Sequence, residues 1–552
     1  MDTRRLILFV IFSFSIMMLW DAWQKKDAPA VNTSEQAKQE LTTTNIPSAN
    51  SEIPGKKFTT ASKVIAQDGQ FKLETGQRIK VTTDLFTAEI DTIGGDLRRL
   101  ALIKHAADKE KNTPYLLMSD AQNPMLYIAQ TGLMGANMPN HKSVFTTSAT
   151  SYKLADGNQT QEIRLSWVEN AITVDKIYVF KRGSYVIDVR YEIVNGSTAA
   201  ITPSAYYQIV HDSESNQGSA MMPTFTGGAF YTKADNFVKI KFGDMADEAL
   251  SKTSHDGWIG LVQHYFASAW IPAANVTREF YTKQLSDRLF AIGVIVPSTS
   301  ISTGAKSIIG AQLFAGPQTE KDLLTAAPGL EYAVDYGWLT IVAKPLFWVL
   351  SKINSYVHNW GVAIILLTVL IKAAFYPLSA KSYKSMAQMR ELAPRLQSMK
   401  EKFGDDKQKM QQAMMEMYRT EKINPMSGCL PILVQIPVFI ALYWMILGSV
   451  ELRHAPFFGW IQDLSAIDPW YILPVLMGAT MIIQTYLNPP PADPIQAKVM
   501  KVMPIVFSIF FFFFPAGLVL YWLVNNVLSI LQQWYVNKSI HAVALLKKGH
   551  AK

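Results

Sequence analysis

The distribution of positive charge constrains this 552-residue sequence more than any other feature. The formal net charge is +8, and residues 1–371 contribute none of it. The surplus lies entirely in residues 372–552, where segments rich in Lys and Arg alternate with long apolar segments without charge. Multispanning membrane proteins show this pattern, because their cytoplasmic loops carry an excess of Lys and Arg. We therefore predict an α-helical polytopic membrane protein.

The sign of the charge differs between the loops of this C-terminal part. Residues 380–422 contain ten Lys or Arg against six Asp or Glu, and residues 537–552 contain four Lys and no acidic residue. Residues 449–470 contain one Arg against three acidic residues. The positive-inside rule places the first two segments in the cytoplasm and the third outside the membrane. Since topology accounts for the basic surplus, we expect no DNA partner.

Six apolar segments have the length of a membrane span, since a bilayer core of about 30 Å needs roughly 20 helical residues. The first is an anchor within residues 1–26, and no signal-peptide cleavage pattern follows it. Residues 502–536 have no charge and are too long for one span, but a Phe-Pro-Ala-Gly turn signal divides them at 514–517. The spans predicted after the anchor are 353–378, 423–450, 469–488, 498–514 and 517–536. An even number of spans places both termini on the same side of the membrane, and the basic tail makes that side the cytoplasm.

The segment between the first two spans has two compositions. Residues 27–57 are rich in Ser, Thr, Ala, Asn, Gln and Pro and poor in large apolar residues, which is typical of a flexible linker. Residues 58–330 contain short stretches with a period of two, such as YVIDVRY at 185–191, and predict a large external antiparallel β-sandwich. Residues 331–552 then form the helical core.

Residues 338–350 precede the second span and mix apolar side chains with a single charge, Lys344. This composition favours a helix that lies in the external membrane interface. The alternative is a loop followed by an early start of the second span.

Residues 380–422 have apolar positions at helical spacing and predict a cytoplasmic helical hairpin, followed by the basic tail at 537–552. Met389 and Met399 lie on its first helix, and Met410 and Met414 lie on its second. Methionine-rich surfaces repack around varied apolar partners, so these four residues are candidate contacts for a substrate or partner. The alternative is that the two apolar faces pack on each other.

Lys372 is the main candidate functional residue, because it lies inside an apolar run five residues before Pro377. A charge at the centre of a membrane helix costs roughly 2.5–3.5 kcal/mol on insertion scales. Five residues are only about 7.5 Å of helix, so the lysine stem could also carry the charge to the interface. Gln435 and Asn525 are polar residues of other predicted spans. Such groups face inward, where they bond one another or line a hydrophilic cavity.

Motifs of the common enzyme classes are missing from the sequence. There is no H-E-x-x-H, no G-x-S-x-G and no Walker A sequence, and the single cysteine, Cys429, excludes a Cys-x-x-Cys pair. We therefore expect no enzyme activity, no metal and no cofactor. The alternatives to be weighed are a secondary transporter and a membrane-tethered glycan-binding protein or glycan enzyme.

A series of specific motifs runs through the helical part: YPL at 376–378, NPMSGCLPILVQIPVF at 424–439, GSVELR at 448–453, DP followed by YILP at 468–474, and FPAGLVLYW at 514–522. These motifs resemble the YidC membrane-protein insertases, which are related to the Oxa/Alb proteins of mitochondria and chloroplasts. The resemblance covers essentially the whole chain, including the anchor and the large external domain of the Gram-negative form.

The resemblance implies a protein of the bacterial inner membrane that inserts and helps fold integral membrane proteins, alone or with the Sec translocon. It implies a hydrophilic groove with one positive charge, at the position of Lys372, where the family usually has Arg. The implied groove residues are Lys372, Thr368, Gln435, Trp522 and Asn525. The implied partners are nascent membrane proteins, the lipid bilayer, the Sec translocon and, weakly, the ribosome through the cytoplasmic loops and tail. For the periplasmic domain it implies a mutarotase-like super-sandwich with Gly94-Gly95-Asp96 in its first sheet.

Overall fold

The computed structural model describes residues 73–107, 112–121, 125–214, 218–219, 222–403, 406–421, 430–488 and 494–549. The predicted anchor (1–26) and the predicted linker (27–57) lie outside these ranges. The described chain consists of a β-rich part followed by a helical part that starts near residue 340.

The β-rich part contains two large sheets and a small hairpin. The ten-stranded sheet contains β1 Arg78–Thr82, β2 Phe86–Asp91, β3 Leu97–Ala106, β4 Pro114–Met118, β5 Tyr127–Met134, β7 Ser151–Lys153, β11 Ser204–Asp212, β16 Ser251–Ser254, β19 Arg278–Gln284 and β20 Leu289–Pro297. The nine-stranded sheet contains β6 Thr146–Thr147, β8 Thr160–Glu169, β9 Ile172–Lys181, β10 Val186–Asn195, β14 Gly227–Thr232, β15 Asn236–Ile240, β17 Trp258–Val262, β18 Phe266–Pro272 and β21 Lys306–Pro317. The hairpin is formed by β12 Gly218–Ser219 and β13 Met222–Pro223. Neighbouring strands of the two large sheets are antiparallel except where β1 pairs with β7.

The two sheets pack face to face over one apolar core. Strand β10 illustrates how a sheet buries one face. Buried and partly exposed residues alternate along its whole length, because successive side chains of a strand point to opposite faces of the sheet. Hydrogen bonds also join the sheets: the Tyr127 hydroxyl donates to Ser268 Oγ at 2.7 Å, and the hydroxyls of Thr131 and Tyr191 lie 2.6 Å apart. The predicted antiparallel β-sandwich is confirmed.

The Gly94-Gly95-Asp96 turn precedes β3 and is held from inside the sandwich. Both glycines have positive φ, at 76° and 60°, which favours residues without a Cβ. Lys176 Nζ donates to the Gly94 carbonyl at 2.8 Å, and the Tyr178 hydroxyl donates to the Gly95 carbonyl at 2.6 Å. Burial lowers the pKa of Lys176 to about 7. The turn is therefore fixed by buried polar contacts between the two sheets.

The chain has eleven α-helices in its described part, two of them beside the sandwich and nine in the helical part. They are α1 Phe242–Asp247, α2 Glu320–Ala326, α3 Thr340–Val357, α4 Trp360–Ala374, α5 Tyr376–Glu391, α6 Ala393–Phe403, α7 Lys407–Thr420, α8 Leu430–Gly448, α9 Ile472–Leu487, α10 Pro494–Phe511 and α11 Ala516–Gly549. Buried residues of α3, α4, α8, α9 and α11 share a second apolar core. The predicted helical C-terminal part is confirmed.

The helices differ from the predicted boundaries around the second span. Helix α3 continues to Val357, beyond the interfacial helix predicted at 338–350, and ends where His358 adopts a left-handed conformation (φ 51°). Asn359 then caps α4, because its side chain accepts a hydrogen bond from Val362 N at 3.0 Å. The segment predicted as one span at 353–378 is thus divided among three helices, with a bend of 67° between α4 and α5.

The structure also defines the helix boundaries in the predicted hairpin and in the last two predicted spans. Helices α6 and α7 lie within 380–422, and Asp406 caps α7 by accepting a hydrogen bond from Lys409 N at 3.1 Å. The chain turns at 512–515, which overlaps the turn signal at 514–517, and α11 begins at residue 516 and extends beyond the predicted span 517–536 to residue 549. Within the ranges described, no single helix is long and apolar enough to cross a membrane, although the bent pair α4–α5 meets that test together.

The β-sandwich docks on the helical part through residues 450–453, which follow α8. Val450 is buried in the apolar core of the sandwich, and the Arg453 guanidinium lies 5.0 Å from the Tyr115 ring and 5.6 Å from the Phe266 ring. These two rings stack on each other at 4.1 Å. Burial, with a smaller contribution from the Arg453 charge, lowers the pKa of the neighbouring His105 to about 4. The two parts of the chain therefore share an apolar interface with a cation–π contact.

Candidate functional site

Lys372 lies in the last turn of α4 and is partly buried against α11. Its ammonium donates a hydrogen bond to Ser529 Oγ at 2.6 Å, and Ser529 donates in turn to the Asn525 carbonyl at 2.7 Å. The Tyr383 hydroxyl of α5 also hydrogen-bonds with Ser529. Three helices thus meet around the lysine head group.

Gln435 of α8 and Asn525 of α11 lie next to this cluster. The Gln435 amide nitrogen donates to the Asn525 amide oxygen, so the two predicted groove residues contact each other directly. Gln435 and Lys372 line one narrow cleft, whose cavity volume is about 10 Å³. The other lining residues are Ile371, Phe375, Leu378, Ser379 and Val434. The cleft is therefore mainly apolar, with a cation, an amide and a hydroxyl at its polar side.

No carboxylate in the described part of the chain compensates the charge of Lys372. Among the described residues Lys372 forms no ion pair, and its ammonium contacts a neutral hydroxyl instead. Buried charges are normally paired, because an unpaired charge loses its hydration without a replacement. An ammonium has three N–H donors, of which the described residues occupy one, at Ser529. The site can therefore accept an anionic or acceptor-rich group.

Two predicted groove residues lie nearby but do not reach the lysine. Thr368 is buried one turn before Lys372, and its hydroxyl donates to the carbonyl of Ile364 at 2.7 Å. Trp522 packs with ring centroids 4.4 Å from Phe439 and 5.4 Å from Phe511. Its indole nitrogen is buried and has no hydrogen-bond partner in the part of the chain that is described. Thr368 and Trp522 thus form walls of the region next to the polar cluster.

The four candidate methionines are not brought to Lys372. Met389 lies on α5, Met399 on α6, and Met410 and Met414 on α7, and all four are partly buried. An ion pair between Arg395 and Glu421, at 2.7 Å, helps to join the two ends of this hairpin. The methionine surface is therefore a separate feature of the molecule.

The end of α4 opposite Lys372 is closed by the loop between α8 and α9. Asp468 is fully buried in this loop and accepts hydrogen bonds from Trp460 Nε1, Trp470 N and Leu473 N at 2.9, 3.0 and 2.7 Å. The loop is fastened to α4, where Asn359 Nδ2 donates to the Phe457 carbonyl at 3.2 Å. Lys372 is the thirteenth residue after Asn359, which is about 20 Å along the helix. The cleft and the closing loop therefore lie at opposite ends of the helix.

Sequence reasoning missed Ser529, Tyr383 and Ser379. A serine in a membrane helix is common, because it can satisfy its hydroxyl with the carbonyl four residues earlier, as Ser529 also does. The useful signal is the helical register: Ser529 is one turn after Asn525, so both side chains point to the same side of α11.

Comparisons with known proteins match the whole chain. The family model described as the YidC periplasmic domain matches residues 78–349, and the one described as 60Kd inner membrane protein matches residues 352–543. A relative from Methylobacillus flagellatus, named membrane protein insertase YidC, is 62% identical over 100% of both chains. Another of that name, from Nitrosospira multiformis, is 49% identical over 99% of this chain and 98% of its own length.

Solved structures give weaker matches. A crystal structure of an active YidC insertase with its first transmembrane domain resolved is 18% identical, with a TM-score of 0.40, and covers 84% of this chain and 93% of its own. A galactose mutarotase related enzyme from Lactobacillus acidophilus is 8% identical, with a TM-score of 0.31, and covers 43% of this chain and 97% of its own.

Proposed function

Because this chain belongs to the YidC family of membrane protein insertases, we propose that Lys372 is the cation of a groove that receives the polar part of a membrane protein during insertion. The protein is an insertase of the inner membrane with a periplasmic domain, and its family is not a family of enzymes. Its substrates are nascent membrane proteins, and it acts in the lipid bilayer.

The observation that carries the proposal is that Lys372 has no counter-ion among the residues that the structure describes. A structural lysine in this environment would normally have a carboxylate partner, whereas this one has a hydroxyl at 2.6 Å among the described residues. An acidic or polar segment of a substrate supplies the missing partner while it is inside the groove. The interaction is strengthened there, because a unit charge acts more strongly in a medium of reduced dielectric than in water.

The other groove residues have roles that follow from their contacts. Gln435 and Asn525 offer amide groups to the substrate backbone when they release each other. Thr368 and Trp522 shape the wall beside them. The apolar helix of the substrate then leaves between α8 and α11 into lipid, while its polar end is held at Lys372. The groove lowers the cost of placing polar backbone at membrane depth.

The finer topology is part of the proposal. Six spans place both termini in the cytoplasm, with the sandwich and the loop at 449–470 in the periplasm and the hairpin at 380–422 in the cytoplasm. The alternation of basic and acidic loops supports this arrangement. The methionine surface of the hairpin meets substrates or partners, the Sec translocon assists with larger substrates, and the ribosome approaches the cytoplasmic loops and tail.

The test is the sign of the charge at position 372. We expect Lys372→Arg to support insertion, Lys372→Ala to impair substrates with acidic tails more than substrates with uncharged tails, and Lys372→Glu to be the weakest through like-charge repulsion. The measurement is insertion of one small membrane protein with acidic, neutral and basic tails, at matched levels of each variant. Lys384→Glu, at an exposed position of α5, controls for the change in net charge. Equal insertion of acidic-tailed substrates by Lys372→Glu and the wild type would show that the lysine is only an anchor.

A further inference from the structure

A second cleft lies between α5, α9 and α11, beyond the C-terminal end of α4. Its cavity volume is about 180 Å³, against about 10 Å³ for the cleft at Lys372. Its polar lining consists of Arg390 and Glu391 at the end of α5 and Gln533 and Asn537 on α11. Met386 and Leu487 contribute apolar wall. We call this space the α5–α11 cleft; the groove residues assigned above do not line it.

The α5–α11 cleft is connected to the groove by a row of polar residues on α11. Asn525, Ser529, Gln533 and Asn537 follow each other at intervals of four residues, so they lie on successive turns of the helix. The row is about 18 Å long and winds by about 40° per step. Its first two members contact Gln435 and Lys372, and its last two line the α5–α11 cleft.

Gln533 lines the cleft and carries an acceptor without a partner among the described residues. Its side chain is 2% exposed, and its amide nitrogen donates to the Leu487 carbonyl at 3.1 Å and to Asn488 Oδ1 at 3.3 Å. These bonds fix the orientation of the amide, because a carbonyl can only accept. The amide oxygen is buried and has no partner among the residues that the structure describes. A buried acceptor without a partner destabilises the fold, so a ligand with an N–H donor would relieve it.

The rest of the lining offers both donors and acceptors. Arg390 is exposed, and one of its nitrogens donates to the Tyr486 carbonyl at 2.9 Å, which orients the guanidinium beside the cleft. Glu391 is an acceptor, and Asn537 can donate and accept. An extended polypeptide fits this mixture, because its backbone presents N–H and C=O groups in alternation. A phosphate group fits less well, since it would bring only acceptors to Glu391 and the Gln533 oxygen.

From these contacts we infer that the α5–α11 cleft is a second binding site for the extended polar segment of a substrate, which passes along the polar row of α11 to Lys372. The inference rests on the proposed function, because it assumes that a substrate segment occupies the groove. In this scheme the cleft binds the segment first, through hydrogen bonds that do not depend on its sequence. Lys372 then selects for acidic or acceptor-rich groups.

Site-specific crosslinking tests the order of contacts. A photoreactive residue is placed at Ala387, which lines the cleft, at Ile371, which lines the groove, or at Ile482, which is 41% exposed on α9. Native membranes that contain the full-length protein are incubated with ribosome-bound substrate chains of increasing length. We expect the Ala387 probe to crosslink the polar segment at shorter chain lengths than the Ile371 probe, and the Ile482 probe to give little crosslinking to that segment.

A substitution at Gln533 provides the matched variant. Gln533→Met keeps the approximate volume but removes the acceptor, and we expect it to reduce the Ala387 crosslink several-fold while the Ile371 probe still reaches the substrate at longer chain lengths. Gln533→Glu keeps an acceptor and should retain the Ala387 crosslink. Thermal unfolding in detergent shows whether each variant is folded. If Gln533→Met does not fold, the same experiment is done with Asn537→Ala, because Asn537 lines the same cleft.

The outcomes separate the inference from the proposed function. Substrate crosslinks at Ile371 but not at Ala387, with normal insertion, would overturn the inference and leave the groove intact. Crosslinking of Ala387 to phospholipid without any dependence on the nascent chain would also overturn it, in favour of a lipid site. Absence of substrate crosslinks at both probes in an active insertase would count against the groove itself.

Discussion

At the scale of single residues, the hydroxyl of Ser529 is the partner of the Lys372 charge. It accepts a hydrogen bond from the ammonium at 2.6 Å and keeps it beside α11. Hydrogen bonds to charged groups contribute about 1.5–3 kcal/mol, which is enough to hold one rotamer of a flexible stem. The hydroxyl has no formal charge, so it positions the cation without neutralising it.

We predict that Ser529→Ala lowers the stability of the protein by about 1–3 kcal/mol but retains most insertion of acidic-tailed substrates, because the charge at 372 remains. Thermal unfolding and the insertion assay at matched protein levels measure the two effects. Ser508→Ala is the control, because Ser508 also donates to a carbonyl, that of Pro474 at 3.2 Å, but lies on α10. Loss of insertion as severe as that of Lys372→Glu would mean that the hydroxyl, rather than the charge, acts on the substrate.

The sequence predicted part of this site for a physical reason. Lys372 interrupts an apolar run, and Gln435 and Asn525 are amides inside other runs, so all three stand out from the hydropathy pattern alone. The direct contact of Gln435 with Asn525 was one of the two arrangements that the sequence allowed. Ser529 and Tyr383 do not stand out, because their importance depends on the crossing of α4, α5 and α11.

At the scale of helices, the packing of α4 on the closing loop depends on a glycine. Gly361 lies in the first turn of α4, and a Cβ at this position would lie 2.1 Å from Phe457 Cδ2 and 2.5 Å from its Cγ. The aromatic ring of Phe457 therefore rests directly on the helix backbone. The loop that carries Phe457 closes the end of the helical part opposite Lys372. The packing of this ring on Gly361 therefore helps to hold the loop in place.

We predict that Gly361→Ala destabilises the protein by about 1–3 kcal/mol, because the added methyl group displaces the Phe457 ring from a packed site. Gly448→Ala, at the end of α8, is the matched control, since a Cβ there has nothing within 4 Å. An alanine in place of an unobstructed helical glycine stabilises by up to about 1 kcal/mol. Equal melting temperatures for the two variants in detergent would contradict the prediction.

The helix boundaries were harder to predict than the existence of helices. Residues 353–371 contain no Lys, Arg, Asp or Glu, and a span predicted from the absence of charge runs across the break at His358 and the cap at Asn359. The bend before α5 was not predicted, although Pro377 at the start of that helix is a recognised start signal. Hydrophobicity determines that a segment is buried, whereas caps and turns determine where each helix ends.

At the scale of the whole molecule, the β-sandwich is attached to the helical part by more than its chain connections. Val450 enters the apolar core of the sandwich, and Arg453 lies over Tyr115 and Phe266. The sequence did not predict this interface, because its residues are far apart in the chain and form no charge pattern. It predicted instead a flexible linker at 27–57 before the external domain, and that linker lies outside the described residues.

We predict that deletion of about residues 60–307, with α3 retained, leaves insertion of a small substrate largely intact, because the proposed groove residues all follow residue 353. The deletion exposes Val450 and removes both aromatic partners of Arg453, so the melting temperature of the helical part should fall. Arg453→Ala in the full chain should lower the melting temperature by less. A cation–π contact contributes about 0.5–2 kcal/mol to the free energy of unfolding. Complete loss of insertion with normal expression would instead assign an essential role to the sandwich.

The same interface contains a carboxyl group whose protonation depends on docking. Glu451 follows Val450 and lies among polar groups of the sandwich side and of α3. The neighbouring titratable residues are Glu320, Asp322, Glu331, Tyr336 and Lys344. Burial raises the pKa of Glu451 to about 7, and the charges of Glu320 and Asp322 add a smaller repulsion. In the unfolded chain the pKa of this carboxyl returns to the ordinary value of 4.5.

The folded protein therefore binds this proton more tightly than the unfolded chain, and the sign of the pH dependence follows. The contribution of Glu451 to stability is fully present below about pH 4.5 and is lost as the pH rises through about 7. We predict that Glu451→Gln, which resembles the protonated form, raises the melting temperature at about pH 8 and has little effect near pH 5. Thermal unfolding across this range measures it, with Glu416→Gln at an exposed position of α7 as control. Parallel stability profiles for the wild type and Glu451→Gln would show that the interface tolerates the charged carboxylate, since a group with equal pKa in both states contributes no pH dependence.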